Sequence, residues 1–203
     1  VVDPAGDDRI TGNTSTPYSD DLYDSSDLDI VSADIATDAK NLTAVVRLST
    51  LHETDPESPT GRMWELFFVV GEQRYVISSR VVFDKHDGYV YRETTRHEEG
   101  GNGASSAAGI GEAKVVLDYA RAEVRATAPL SYFTPYTPIY KGAPITHLEA
   151  WSYHFDGVGG DRYELPNDLV VDYGSGGAGD SVDSARSTKY YLAGGKSCVV
   201  VGR

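Results

Sequence analysis

Apolar residues along this chain recur at a spacing of two, and nowhere at the helical spacing of three and four over a useful length, so the fold has to be built from strands. Leu28 to Ile35 alternates, the turn residues Asp38 to Asn41 follow, and Leu42 to Leu48 reads as a second strand, which makes a hairpin. Met63 to Val70 is a nearly continuous apolar run with Trp64, Phe67 and Phe68; it turns at Gly71-Glu72-Gln73 into the β-branched stretch Arg74 to Phe83. Asp87-Gly88 between Phe83 and Tyr89-Val90-Tyr91 is a hairpin signal, and Glu98 to Gly111 reads as an exposed loop of small and polar residues.

Strand signals return in Lys114 to Leu117, in Glu123 to Ala128, in Ile145 to Phe155, in Leu169 to Val171, in Tyr190 to Leu192 and in Cys198 to Val201. Pro129 is placed to open a single helical turn at Leu130 to Phe133. About ten short strands with no long helix predict an all-β antiparallel sandwich or jelly roll. The 203 residues suit one domain, 1–203, in which 1–27 is an acidic, turn-rich entry segment. Glycine (21) and proline (9) are plentiful enough to supply the many turns such a fold needs.

Charge narrows the partners. With 31 acidic against 18 basic residues the net charge is −13, which repels a phosphate backbone, so nucleic acid is not expected as a partner. No apolar run is long enough for a membrane-spanning helix, so no membrane insertion is expected. One cysteine, Cys198, leaves no internal disulfide and no multi-cysteine metal site; it reads as a small apolar residue of a last strand. Val1 stands where a Met would open a nascent chain, and no charged or apolar leader follows. The chain is thus processed or cut from something longer, and its acidic, glycine-rich and tyrosine-rich composition leads to an expected secreted, extracellular or cell-surface location.

Two groups of residues carry candidate chemistry. Asp3, Asp7, Asp8, Asp27 and Asp29 belong to an acidic cluster, in which Asp20, Asp21 and Asp24 also fall, and hard oxygen donors on loops suit calcium. The competing reading is a solvated acidic loop. Tyr132, Tyr136 and Tyr140, with Phe133, fall in a proline-interrupted stretch where exposed rings could stack on sugar faces; the competing reading is a cap on the sandwich core. Trp64, Trp151, Tyr153 and Phe155 read as core. Asp156 to Asp161, a second acidic group with Glu164, reads as a plain turn, since it lacks the alternating oxygens of an EF-hand loop.

Signs of catalysis are weak. Gly174 to Gly179 satisfies the spacing of a dinucleotide loop, but no helix follows to present its N-terminus to phosphate. The five histidines have no metal-ligand spacing, no nucleophile elbow occurs, and acidic residues are too numerous for carboxylate pairs to be diagnostic. No enzyme activity is expected.

The opening Asp3-Pro4-Ala5-Gly6-Asp7-Asp8, the strand Leu28-Asp29-Ile30-Val31, and the run Glu123 to Leu130 leading through Lys141-Gly142 into Ile145 to Trp151 resemble the DOMON-like β-sandwich superfamily, over roughly residues 1 to 155. That group includes family-9 carbohydrate-binding modules and accessory domains of secreted bacterial hydrolases and peptidases. The resemblance implies a secreted, non-catalytic sandwich, commonly with a structural calcium ion and sometimes with an aromatic sugar-binding face. By that match Asp3, Asp7 and Asp29 lead the calcium ligands, with Asp8 and Asp27 next. The tryptophan pair of the family-9 modules has no counterpart here, so sugar binding does not follow from the fold. Two functions are expected: a calcium-stabilised module that binds a polysaccharide or cell-surface polymer, or a self-associating subunit of an extracellular fibre or surface layer joined by strand addition.

Overall fold

The computed structural model describes residues 27–53, 61–82, 85–94, 107–155, 161–164, 170–173, 181–187 and 191–194. They form an antiparallel β-sandwich, the fold the alternation predicts. Its smaller sheet contains β1 (Ile30–Thr37), β2 (Asn41–Leu48), β7 (Lys114–Asp118) and β8 (Glu123–Pro129), in the order β1-β2-β8-β7. The larger sheet contains β3 (Gly61–Val70), β4 (Gln73–Val82), β5 (Lys85–Glu93), β6 (Ala107–Glu112), β9 (Pro144–Phe155) and β12 (Ser181–Ser187), in the order β12-β9-β3-β4-β5-β6. The short β13 (Tyr191–Leu192) also pairs with β9, while β10 (Asp161–Glu164) and β11 (Val170–Tyr173) pair with each other. Among the described residues there is no α-helix, and the expected turn after Pro129 is a 3-10 turn at Leu130–Tyr132.

Hydrophobic burial explains why the two sheets face each other. The small sheet contributes Ile35, Leu42, Ala44, Val46, Val124, Ala126 and Ala128 to the core; the large sheet contributes Trp64, Leu66, Phe68, Tyr75, Ile77, Val90, Leu148 and Ala150. Alanines on the small sheet leave room for the rings of the large one, and each large apolar side chain so buried contributes about 1.5–3 kcal/mol before entropy is counted. Phe133, beyond the 3-10 turn, completes this ring cluster: its centroid lies 5.0 Å from Tyr75, edge to face, and 6.0 Å from Phe68.

The structure corrects several local readings. Asp87-Gly88 is not a turn; both residues sit inside β5, where Asp87 pairs with Arg80 and Gly88 with Ser79. Glycine is required there for closeness. A Cβ on residue 88 would lie 2.6 Å from Val115 Cγ2 and 2.9 Å from the Ala113 carbonyl oxygen, where the chain crosses from β6 to β7. Gly88→Ala is therefore expected to destabilise the fold by about 1–3 kcal/mol in urea unfolding, and a smaller loss would show that this crossing gives way.

Part of the expected Glu98–Gly111 loop is strand as well, since Ala107 to Glu112 forms the edge strand β6. Its small residues serve packing: a Cβ on Gly111 would meet the Tyr132 ring at 2.3 Å. Asp161, the last residue of the expected Asp156–Asp161 turn, opens the strand β10, residues 156–160 lying outside the described residues, and Ser181 to Ser187, not anticipated, is β12, bringing the strands among the described residues to thirteen. Cys198 to Val201 and Gly174 to Gly179 lie outside the described residues.

The most consequential correction is a phase shift in β9. Between Thr146, opposite Val69, and Glu149, opposite Phe67, β9 holds one residue more than β3, a β-bulge centred on His147, whose φ is +50°. Ile145 points into the core, and beyond the bulge the inward positions become Leu148, Ala150 and Ser152. Trp151 and Tyr153, expected in the core from uninterrupted alternation, stand on the other face of the large sheet.

Candidate functional site

Of the five aspartates expected to bind calcium, Asp3, Asp7 and Asp8 lie outside the described residues. Asp27 and Asp29 are both buried, and protein donors already occupy Asp27. Its Oδ1 accepts from Thr50 Oγ1 at 2.9 Å and lies 2.7 Å from His52 Nδ1; its Oδ2 accepts from the His52 backbone N–H at 2.8 Å and from the Arg62 guanidinium. Arg62 is as buried as Asp27, and its guanidinium stands where a cation ligated by this carboxylate would have to stand. Asp29 accepts from Ser49 Oγ. Asp27 therefore does not fit a calcium ligand, and among the described residues no group of three metal-binding side chains occurs.

What Asp27 does is structural. The Trp64 indole N–H donates to the Asp27 carbonyl at 3.2 Å, and Ser152 Oγ donates to the Leu28 carbonyl at 2.6 Å, so the chain entering β1 is tied to β3 and β9 of the opposite sheet. Sequence inspection missed Arg62 as the partner. The available signal was its phase, because Arg62 falls on the inward side of β3 with Trp64, Leu66 and Phe68, and an inward guanidinium needs a buried carboxylate.

The aromatic stretch after Pro129 does not present its rings as one surface. Phe133 is fully buried, Tyr132 packs against the core and Gly111, Tyr136 is 47% exposed with the Arg92 guanidinium 4.5 Å from its ring centre, and Tyr140 is 67% exposed.

A denser set of rings covers the outer face of the large sheet. Register places Tyr153, Met63, Arg80 and Asp87 in one row across β9, β3, β4 and β5; Trp151, Glu65, Ser78 and Tyr89 in the next; and Glu149, Phe67, Val76 and Tyr91 in the third. All five aromatic side chains here are partly exposed. Trp151 and Tyr153 lie with centroids 6.4 Å apart and planes within 14°, and Tyr89 and Tyr91 are 6.3 Å apart.

Charged groups fix these rings from the sides. Arg80 forms two hydrogen bonds to Asp87, at 2.8 and 2.9 Å, and lies 4.8 Å from the Tyr89 ring centre. Arg74 bonds Glu93 at 2.8 Å and Glu149 at 3.0 Å while lying 4.5 Å over Phe67. Such pairs hold planar groups in one orientation, which favours a preformed surface.

Glu65 occupies the centre of this face, with no ion pair among the described residues. Burial pushes its carboxyl up to about 7, against the opposing effects of a hydrogen bond with Tyr153 and the charges of Arg74 and Arg80. Burial, and then the Glu65 charge, raises the Tyr153 hydroxyl in turn. Because the folded value of Glu65 exceeds its ordinary 4.5, the folded state binds the proton more tightly than the unfolded one. Its stabilising contribution is complete below about pH 4.5 and is lost as pH rises through about 7.

Neither a protein-family model nor a curated protein nor a solved structure matches the chain. The reading of its function rests on the sandwich and on this face.

Proposed function

We propose that this protein is a secreted, non-catalytic binding module that holds a neutral polysaccharide or cell-surface glycan on the outer face of its large sheet. One observation carries the reading: Phe67, Tyr89, Tyr91, Trp151 and Tyr153 gather on a sheet face that the core does not need, interleaved with oriented carboxylates and guanidinium groups. Aromatic planes stack on the C–H faces of sugars, and the fixed polar groups beside them give hydroxyls partners. The net charge of −13 favours a neutral glycan over a polyanion.

Calcium enters this reading without Asp27. The fibre alternative calls for exposed strand edges, and β1, β7, β6 and β12 end their sheets among the described residues, but no feature of those edges favours it over a ligand on the ring-bearing face.

The test is retention on insoluble neutral polysaccharides such as cellulose, xylan and chitin. The wild type is expected to be retained on at least one, and the double variant Trp151→Ala with Tyr153→Ala to bind at least about tenfold more weakly while still unfolding cooperatively. Unchanged retention in that variant overturns the assignment of the face. Filaments of wild-type protein in electron micrographs, with no retention, support the fibre alternative.

A further inference from the structure

We infer that the outer edge of β7 pairs with the same edge of a second copy of this chain, antiparallel about a two-fold axis at Val116, to make a closed dimer.

The argument begins with what this edge leaves uncovered. β7 pairs with β8 on one side and ends its sheet on the other among the described residues. Four large hydrophobic side chains are exposed there, and two of them belong to this edge: Val116, 46% exposed, and Tyr119, 41% exposed, just past the end of the strand. Leu117, which lies opposite the inward Val124, packs against the core and is still only partly buried. A strand added here would remove it from water. The adjoining edge of the large sheet is β6, which is alanine or glycine at four of its six positions and so presents little bulk beside an incoming strand.

The identity of the partner comes from the charges. Lys114, Val116 and Asp118 alternate along the outer face of β7. In an antiparallel pair centred on Val116, the Lys114 of each copy stands opposite the Asp118 of the other, and Val115 stands opposite Leu117 on the inner side. Sliding one copy by two residues in either direction puts Val116 opposite a charge and loses both ion pairs. Parallel pairing in register sets like charges side by side. A lysine on an edge ordinarily keeps other strands away, but this strand also carries the carboxylate that answers it. Asp118 has lone pairs to spare: it accepts the Arg121 backbone N–H at 3.2 Å, while the Arg121 and Arg125 guanidinium groups lie at 3.9 and 4.0 Å, beyond hydrogen-bond length.

This contact closes on itself and does not propagate, which separates it from a fibre contact. Five residues a side bury less than the roughly 1,200–2,000 Å² of a permanent interface, so the dimer is weak and reversible. The axis is perpendicular to the sheet, so both large sheets turn their outer faces to the same side. On the reading of that face as a glycan platform, the dimer grips a polymer at two points and gains retention by avidity.

Sedimentation equilibrium of the whole chain tests the pairing with no ligand present, at about 0.15 M salt so that repulsion between two copies of charge −13 is screened. The wild type is expected to pass from monomer to dimer in the micromolar to millimolar range. Val116→Lys places like charges on the axis and is expected to weaken dimerisation at least about tenfold. Lys114→Asp and Asp118→Lys are each expected to be monomeric alone and to form a mixed dimer when combined, because both cross pairs are then opposite in charge. A wild type that stays monomeric throughout that range overturns the inference. So does a dimer indifferent to Val116→Lys, or a mixture of the two charge variants that remains monomeric. Should Asp118→Lys fail to fold, Val116→Lys, at an exposed position, decides the case. A wild type that dimerises but binds no polysaccharide would sink the platform reading and leave the dimer standing.

Discussion

Replacing Arg62 with methionine is expected to lower the free energy of unfolding by about 3–5 kcal/mol, because it leaves the Asp27 carboxylate buried with no cation beside it. Methionine fills much of the space of the arginine stem, so the loss is chiefly electrostatic and not that of a cavity. Both partners are at least 97% buried at the side chain, so solvent does little to screen the orphaned charge. The His52 ring is 61% exposed and cannot replace the guanidinium, although its Nδ1 lies 2.7 Å from Asp27 Oδ1. Adding Asp27→Asn to Arg62→Met removes the charge and is expected to recover part of the loss. Urea unfolding at fixed pH measures both, and a loss below about 1 kcal/mol in the single variant would show that water reaches Asp27.

Phe133→Ala carries a similar expected cost, about 3–5 kcal/mol, for a different reason. Phe133 is fully buried and lies against both Tyr75 and Phe68, so its removal empties a ring-sized space at the end of the core. The comparison that gives this meaning is Tyr140→Ala in the same aromatic stretch. That ring is 67% exposed, and its removal is expected to change stability by less than about 0.5 kcal/mol. Similar losses in the two variants would contradict the burial that separates them.

These two sites mark where the sequence could be read and where it could not. Alternation, with short apolar runs at β3 and β7, announced the sandwich and placed β1, β2, β3, β7 and β8 within a residue or two, because a strand with one buried face writes its register into the pattern. Asp87-Gly88 misled because its glycine answers a steric demand from Ala113 and Val115, residues distant in sequence, and not the demand of a turn. β6 and β12 went unread because the small and polar residues of AAGIGE and SVDSARS carry little strand propensity, and pairing with a neighbouring strand supplies what propensity lacks.

The face with the candidate site was hidden by one residue. The alternation of Ile145 to Phe155, carried straight through, puts Trp151 and Tyr153 in the core; the bulge at His147 reverses it, and nothing local distinguishes a bulging histidine from an ordinary strand residue. The clasp at Asp27 was missed from the other side. An aspartate within an acidic run reads as a cation ligand until the strand that brings Arg62 to it is known.

Nuclear magnetic resonance titration of the labelled protein with a soluble oligosaccharide of the retained polysaccharide tests the central proposal most directly. The account predicts that the largest shift changes fall on the Trp151 indole and on the backbone amides of residues 63–67, 76–80, 87–91 and 149–153, which share the outer face of the large sheet. Shifts gathered instead around Tyr136 and Tyr140, or the absence of any shift at saturating ligand, would contradict it.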